Sequence, residues 1–282
     1  MNNPVADIFN QAADLLKSDP ARKNNVLELG DPGEVIISGD IHGNRPNLQK
    51  IIAYSSKISP APTIIFQELI HGPVDEKTGQ DRSVEILLRA ARLKIKSPDK
   101  IHFIMGNHDL AQFSGNEIAK EGRGVCKGFV TGVEFCFGAE AAEQIVPAVN
   151  NFLQSMPIAA RFANNVWASH TLPSPNRQEV AGYEIFSRNN YAPEDYKRSG
   201  GVYEWTWGRD QTPDQLEAIA EKLGIEFLVL GHRHIQEGLL EIPDRAIAIN
   251  SDKSTGCIFQ FNSSKPVNFE NYQSHIKPLY RL

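Results

Sequence analysis

Four short stretches set imidazole just past an apolar run, two of them beside carboxylate or amide: Gly39-Asp40-Ile41-His42-Gly43, Gly106-Asn107-His108-Asp109, Ser169-His170 and Gly231-His232-Arg233-His234. Five of the eight histidines fall in them. Imidazole nitrogen combined with carboxylate and amide oxygen suits Mn²⁺, Fe or Zn²⁺, and the lack of thiolates argues against a closed structural zinc site. A single Asp or His in such a place is most often a hydrogen-bonded core residue. A set of this size, repeated at strand ends, points instead to metal binding. Cys126, Cys136 and Cys257 are too few and too irregularly placed for a disulfide framework or a cysteine-based site, and read as reduced core residues.

The surrounding pattern supplies the elements that must position these groups. Apolar residues at helical spacing over 5–18 predict an N-terminal helix. The segments 26–29 and 34–38 read as a hairpin or paired strands around Gly30-Asp31-Pro32-Gly33, with Asp40 and His42 just past a strand end. Asn44-Arg45-Pro46 caps the next helix, where Arg45 either reaches phosphate or lies on the helix surface. A strand over 63–66, a helix spanning 84–91 and a strand over 101–105 continue the alternation, which predicts an α/β sheet with its site at the carboxyl ends of the strands. Residues 110–156 read as a helical insertion whose last helix Pro147 interrupts. Asn164-Asn165 sits at a hairpin that ends at His170, followed by a long loop over 171–201. Thr212-Pro213-Asp214-Gln215 starts a helix that Gly224 ends, and a strand over 227–230 delivers His232.

Composition bounds the function. A chain of 282 residues with net charge -5, its Lys and Arg scattered singly, lacks the basic face of a general nucleic-acid binder. The length suits one large domain over 1–282. No basic stretch precedes an apolar one at the start, and no apolar run approaches the roughly 20 residues of a bilayer span, so the expectation is a cytoplasmic chain with no membrane contact.

Taken in order, the four motifs resemble those of the calcineurin-like metallophosphoesterases, especially the phosphoprotein-phosphatase branch, from about Glu34 to Phe261. The resemblance implies a four-layer α/β/β/α sandwich with a helical insertion, and two divalent metal ions, Mn²⁺ or Fe foremost and Zn²⁺ also suitable. Asp40, His42 and His234 would bind the first, and Asn107, His170 and His232 the second. The family carries Gly-Asp-x-x-Asp-Arg-Gly after its second strand, where this chain has Phe66-Gln67-Glu68-Leu69-Ile70-His71-Gly72, so Glu68 falls at the position of the bridging Asp. If a loop over 72–80 is inserted in the motif, Asp81 orients the catalytic His108, and Arg82 binds substrate phosphate together with Asn107. The competing alignment puts His71 in the Asp position and leaves no Arg. Trp205-Thr206-Trp207-Gly208-Arg209 resembles a Trp-x-Arg stretch that makes Arg209 the second phosphate-binding candidate, while Arg233 reads as a rim side chain.

The activity implied is hydrolysis of phosphomonoesters, on a phosphoprotein or a small molecule, by metal-activated water with His108 as general acid. Dinucleoside polyphosphate or phosphodiester hydrolysis is the enzyme alternative, and a metal-binding scaffold that lost catalysis is the non-enzymatic one. Substrate choice falls to 110–156 and 171–201, where Tyr183, Phe186, Tyr191 and Tyr203 would stack a base or line a peptide groove. Trp205 and Trp207, two apart, either wall a cleft or pack a strand face. His102 and His275 read as structural.

Overall fold

Val35, Ile37 and Ile65 point to one side of their strands and Ile36, Ile64 and Phe66 to the other, and all six are buried. Strands with this alternation need a packed layer on each face. In the computed structural model, which describes residues 3–120, 122–242 and 244–282, those layers are a second sheet on one side and helices on the other. The helices are α1 (Pro4–Lys17), α2 (Arg45–Ser55), α3 (Ser83–Lys96), α4 (Asn107–Ser114), α5 (Val125–Phe137), α6 (Ala139–Gln154), α7 (Gln178–Ala181), α8 (Gly201–Trp207) and α9 (Pro213–Leu223). The first strands are β1 (Arg22–Lys23), β2 (Val26–Leu29), β3 (Glu34–Asp40), β4 (Thr63–Gln67), β5 (Ile101–Ile104), β6 (Ala119–Lys120) and β7 (Arg123–Gly124). There follow β8 (Ala159–Phe162), β9 (Val166–Ser169), β10 (Phe227–Leu230), β11 (Leu239–Ile242), β12 (Ala246–Ile249), β13 (Cys257–Asn262) and β14 (Ile276–Pro278).

A seven-stranded sheet runs β1-β2-β8-β9-β10-β12-β11, and a five-stranded sheet runs β14-β13-β3-β4-β5. Their facing sides share one apolar layer, with Ile37, Ile65 and Phe259 meeting Ala168, Phe227, Val229 and Ile247. The expected α/β/β/α sandwich is what forms. Its site-bearing strands are parallel, β3-β4-β5 in one sheet and β9-β10-β12 in the other, so their carboxyl ends come to one edge of the seam.

Local sequence signals account for many boundaries. Asn3 accepts from Val5 N and Ala6 N at the start of α1, Asn44 accepts from Asn47 N in α2, Thr212 accepts from Gln215 N in α9, and Gly224 ends α9 at φ 64°. Three expectations fail. Gly30-Asp31-Pro32-Gly33 does not close a hairpin: β2 pairs with β8 and β3 with β4 and β13, so the turn passes the chain between sheets. α6 runs through Pro147, which lies on its exposed face, open to solvent. Trp205 and Trp207 lie on the short helix α8 rather than a strand, Trp205 buried and Trp207 half-buried. Among the described residues, no helix is long and apolar enough to cross a membrane.

Candidate metal centre

Asp40 closes β3, Glu68 follows β4, Asn107 opens α4 just after β5, and His170 and His232 follow β9 and β10. All five side chains are buried and converge at the seam. Asn107 Oδ1 lies 2.9 Å from His170 Nε2 and 2.8 Å from His232 Nδ1, and those two nitrogens are 3.1 Å apart. Glu68 Oε1 is 3.3 Å from His170 Nε2. Its other oxygen, Oε2, is 3.3 Å from His42 Nε2. Asp40 Oδ1 lies 3.5 Å from His170 Nδ1. Two overlapping groups of potential ligands result, Asp40 with Glu68 and His170, and His42 with Glu68 and His108, and Glu68 belongs to both.

This donor set fits divalent cations. Ligand atoms about 2.1 Å from one shared cation sit about 3 Å from each other, which is the spacing observed around Asn107, His170 and His232. The imidazoles of His170 and His232 are held neutral, with lone pairs to offer. Burial, then the neighbouring charges of His232, His108, His42 and Arg209, drives His170 well below 6.5. Burial with Arg209 and Arg233 brings His232 to about 3. His42 Nδ1 lies 3.0 Å from the Ile70 carbonyl, so that nitrogen donates and Nε2 is left to face Glu68.

The backbone is bent to make these approaches. His42, Glu68, His71 and His232 all take positive φ, at 41°, 36°, 57° and 64°, a conformation L side chains rarely adopt. His232 N donates to Asp40 Oδ2 at 3.0 Å, and His108 N donates to Glu68 Oε1 at 2.7 Å, which points the start of α4 at that carboxylate. Gly106 makes room for the longer acid: a Cβ there would lie 2.2 Å from Glu68 Cγ.

Other expected residues are placed differently. His234 is exposed, its Nε2 3.0 Å from Lys253 Nζ, and it is not in either group of potential ligands. Arg82 donates to Glu85 Oε1 at 2.9 Å, and Glu85 also pairs with Arg45, so Arg45 and Arg82 flank one carboxylate. Arg209 is the cation felt at both His170 and His232, and Arg233, held by Gln211 Oε1 at 2.7 Å, lies near it. Asp81 sits at the start of α3, where Oδ1 accepts from Ser83 N at 2.8 Å. At His108 Nδ1 stands His71 Nδ1, 2.9 Å away, and His71 Nε2 lies 2.9 Å from Gln112 Oε1. Gln112 escaped the sequence reading; its one signal is its place four residues after His108, on the same face of α4.

Beside the centre, Tyr203 and Trp207 stack with ring centroids 5.5 Å apart, and the Trp207 ring is 6.3 Å from that of His232. They line a cavity of about 460 Å³ with Ile118, Lys197 and Arg198. Tyr183 and Phe186 are not part of it, because they pack against Trp205. A larger cavity of about 620 Å³ opens near Asp19, Lys100 and His102 and includes none of the motif residues.

The profile of the calcineurin-like phosphoesterases matches residues 33–236, well over half of the chain. The protein belongs to that family. Among solved structures, a protein serine/threonine phosphatase from Saccharomyces cerevisiae superposes with a TM-score of 0.65 at 17% identity, over 91% of this chain and 81% of its own. A cold-active protein-tyrosine phosphatase of a psychrophilic Shewanella species gives 0.62 at 14% identity, over 94% and 84%. At these identities the likeness speaks for the fold. Family membership makes the calcineurin-like chain a phosphoesterase by class and implies divalent metals at the cluster just described.

Proposed function

We propose that this calcineurin-like phosphoesterase hydrolyses phosphomonoesters, of a phosphoprotein or a small molecule, with two divalent cations that Asp40, His42, Glu68, Asn107, His170 and His232 would hold between them, Glu68 facing both. The observation that carries the reading is Glu68, whose two carboxylate oxygens face different groups of potential ligands. Mn²⁺ and Fe suit these nitrogen and oxygen donors best, with Zn²⁺ also accommodated. When bound, such cations supply Lewis acidity toward phosphoryl oxygens and an activated water. His108, half-buried at the start of α4, gives a proton from its imidazole to the leaving oxygen. Arg209 binds the phosphoryl oxygens that face away from the cluster, and the Tyr203–Trp207 wall receives the organic part of the ester.

The test is turnover of p-nitrophenyl phosphate against bis-p-nitrophenyl phosphate with Mn²⁺, Fe²⁺ or Zn²⁺ supplied. The monoester should be preferred, and His108→Ala should lower kcat for phenyl phosphate, whose leaving group needs a proton, on the order of 10²–10⁴-fold. A wild-type chain inert toward both substrates with every metal sinks the enzyme reading; preference for the diester sinks the monoester assignment.

The two arginine candidates separate in the same assay. Arg209→Ala is expected to lower kcat/KM on the order of 10–100-fold, the worth of a charged hydrogen bond to phosphate, while Arg82→Ala, which releases its contacts with Glu85 and Cys136, changes it a few-fold at most. The reverse order would return the clamp to Arg82.

A further inference from the structure

We propose that His71, itself held by Gln112, is a positioning residue that fixes the proton on His108, so that an imidazole does here what a carboxylate would otherwise do. The proposal rests on His108 acting as the general acid and adds how that acid is kept in register.

His71 is brought there by the bend after β4. Glu68 and His71 both take positive φ, and between them Leu69 and Ile70 are buried, so the chain turns His71 inward, where it is 1% exposed. Its ring meets that of His108 edge-on, with centroids 5.2 Å apart and planes at 65°, and meets Phe129 likewise at 5.8 Å and 71°. The ring is thus held by packing on one side and by polar contacts at both nitrogens.

With His71 neutral, its two polar contacts assign the protons. Gln112 Oε1 only accepts, so His71 Nε2 carries a hydrogen. A neutral imidazole with a hydrogen on Nε2 offers a lone pair at Nδ1. That lone pair faces His108 Nδ1 at 2.9 Å, so His108 Nδ1 is the donor. His108 Nε2 becomes the atom that carries the transferable proton. When that proton passes to the leaving oxygen, the oxygen–phosphorus electron pair stays with the oxygen, and His108 is left as the neutral tautomer with its hydrogen on Nδ1. The order Gln112, His71, His108 therefore prescribes one tautomer without placing a negative charge beside the acid.

Gln112 and His108 are four residues apart on α4, so one helix face presents both to His71. Asp81, the alternative orienting group, has its Oδ1 on Ser83 N.

The experiment compares phenyl phosphate, whose leaving group needs a proton, with p-nitrophenyl phosphate, whose leaving group needs one much less. It uses the full chain in wild-type form and as His71→Phe, His71→Asp, Gln112→Leu and His108→Ala, each checked for metal content. His71→Phe should lose phenyl phosphate turnover on the order of 10–100-fold more than p-nitrophenyl phosphate turnover at unchanged metal content. His71→Asp, whose carboxylate accepts the same hydrogen, should recover most of that loss, and Gln112→Leu should give a smaller loss of the same selectivity. Nitrogen NMR of the imidazoles in the Zn²⁺-loaded chain should show a hydrogen on His108 Nδ1 in wild type, lost from that nitrogen in His71→Phe.

Equal effects of His71→Phe on both substrates, or a hydrogen on His108 Nε2 alone in neutral wild type, overturn the proposal while His108→Ala still reads as loss of an acid. If His108→Ala itself affects both substrates equally, the general-acid reading fails first and takes this one with it.

Discussion

Glu68→Ala is expected to reduce bound metal from two ions per chain toward one and to lower kcat with p-nitrophenyl phosphate on the order of 10²–10⁴-fold. Several kcal/mol of charge stabilisation come from metal ions in such sites, and each 1.36 kcal/mol is tenfold in rate. The residue does three things at once: Oε1 faces His170 and accepts from His108 N, and Oε2 faces His42. Alanine removes all three while leaving the other ligands where they are. Glu68→Asp gives the sharper comparison. Gly106 leaves a space that the extra methylene of Glu68 fills, so a shorter acid draws its carboxylate back from both groups of donors and is expected to fall between wild type and alanine. Metal analysis beside the rate checks this, and unchanged metal content and turnover in Glu68→Ala would remove the bridge from the proposed mechanism.

The second large effect concerns stability. Asp19, just past α1, accepts from Lys94 Nζ of α3 at 2.8 Å, and His102 Nδ1 of β5 lies 3.1 Å from the same oxygen. Lys94 is fully buried and also donates to the Pro98 carbonyl at 2.7 Å. Asp19→Ala leaves that ammonium with one carbonyl and only the weaker pull of Asp99, and the expected cost is about 3–5 kcal/mol, a fall in Tm on the order of 10 °C for a chain this long. A double variant that also carries Lys94→Met should regain most of the loss, since breaking a buried pair costs more than replacing it with apolar groups. The pH dependence has a definite sign. Burial pushes the Asp19 carboxyl up, but hydrogen bonds from His102 and Lys94 outweigh it and hold it below 3.8. The unfolded chain therefore takes up the proton first. The stability Asp19 contributes is present above 3.8 and is lost as pH falls below it, and the acid limb of a denaturation profile should be shallower in Asp19→Ala. Equal stability of the two chains would mean the cluster is solvated.

The potential ligands were legible in the sequence because each stands where an apolar run stops at Asp, Asn, His or Gly, a local pattern that does not depend on what packs against it. Asp40, His42, Asn107, His170 and His232 converge as that pattern implies, and Glu68, which only the family resemblance singled out, joins them. What the local pattern does not reveal depends on distant parts of the chain. The turn at Gly30-Asp31-Pro32-Gly33 has the chemistry of a hairpin, but strand pairing is chosen by the apolar faces of β8 and β4, which lie far away in sequence. The choice between Asp81 and His71 beside His108 hinges on the bend after β4, and nothing local foretells positive φ at two non-glycine residues. His234 has the right type and spacing, yet its side chain lies with Lys253 at the surface.

The seam between the sheets has a consequence of its own. Asp40, Glu68 and Asn107 ride on the five-stranded sheet, and His170 and His232 on the seven-stranded one. Neither half holds the set alone, so on the proposed reading a cation gripped by both would act as a rivet, and its affinity would be measured against the work of prying the halves apart. Turnover would thereby become an assay of assembly: a chain whose halves have slipped would fall silent while most of its helices and strands persist.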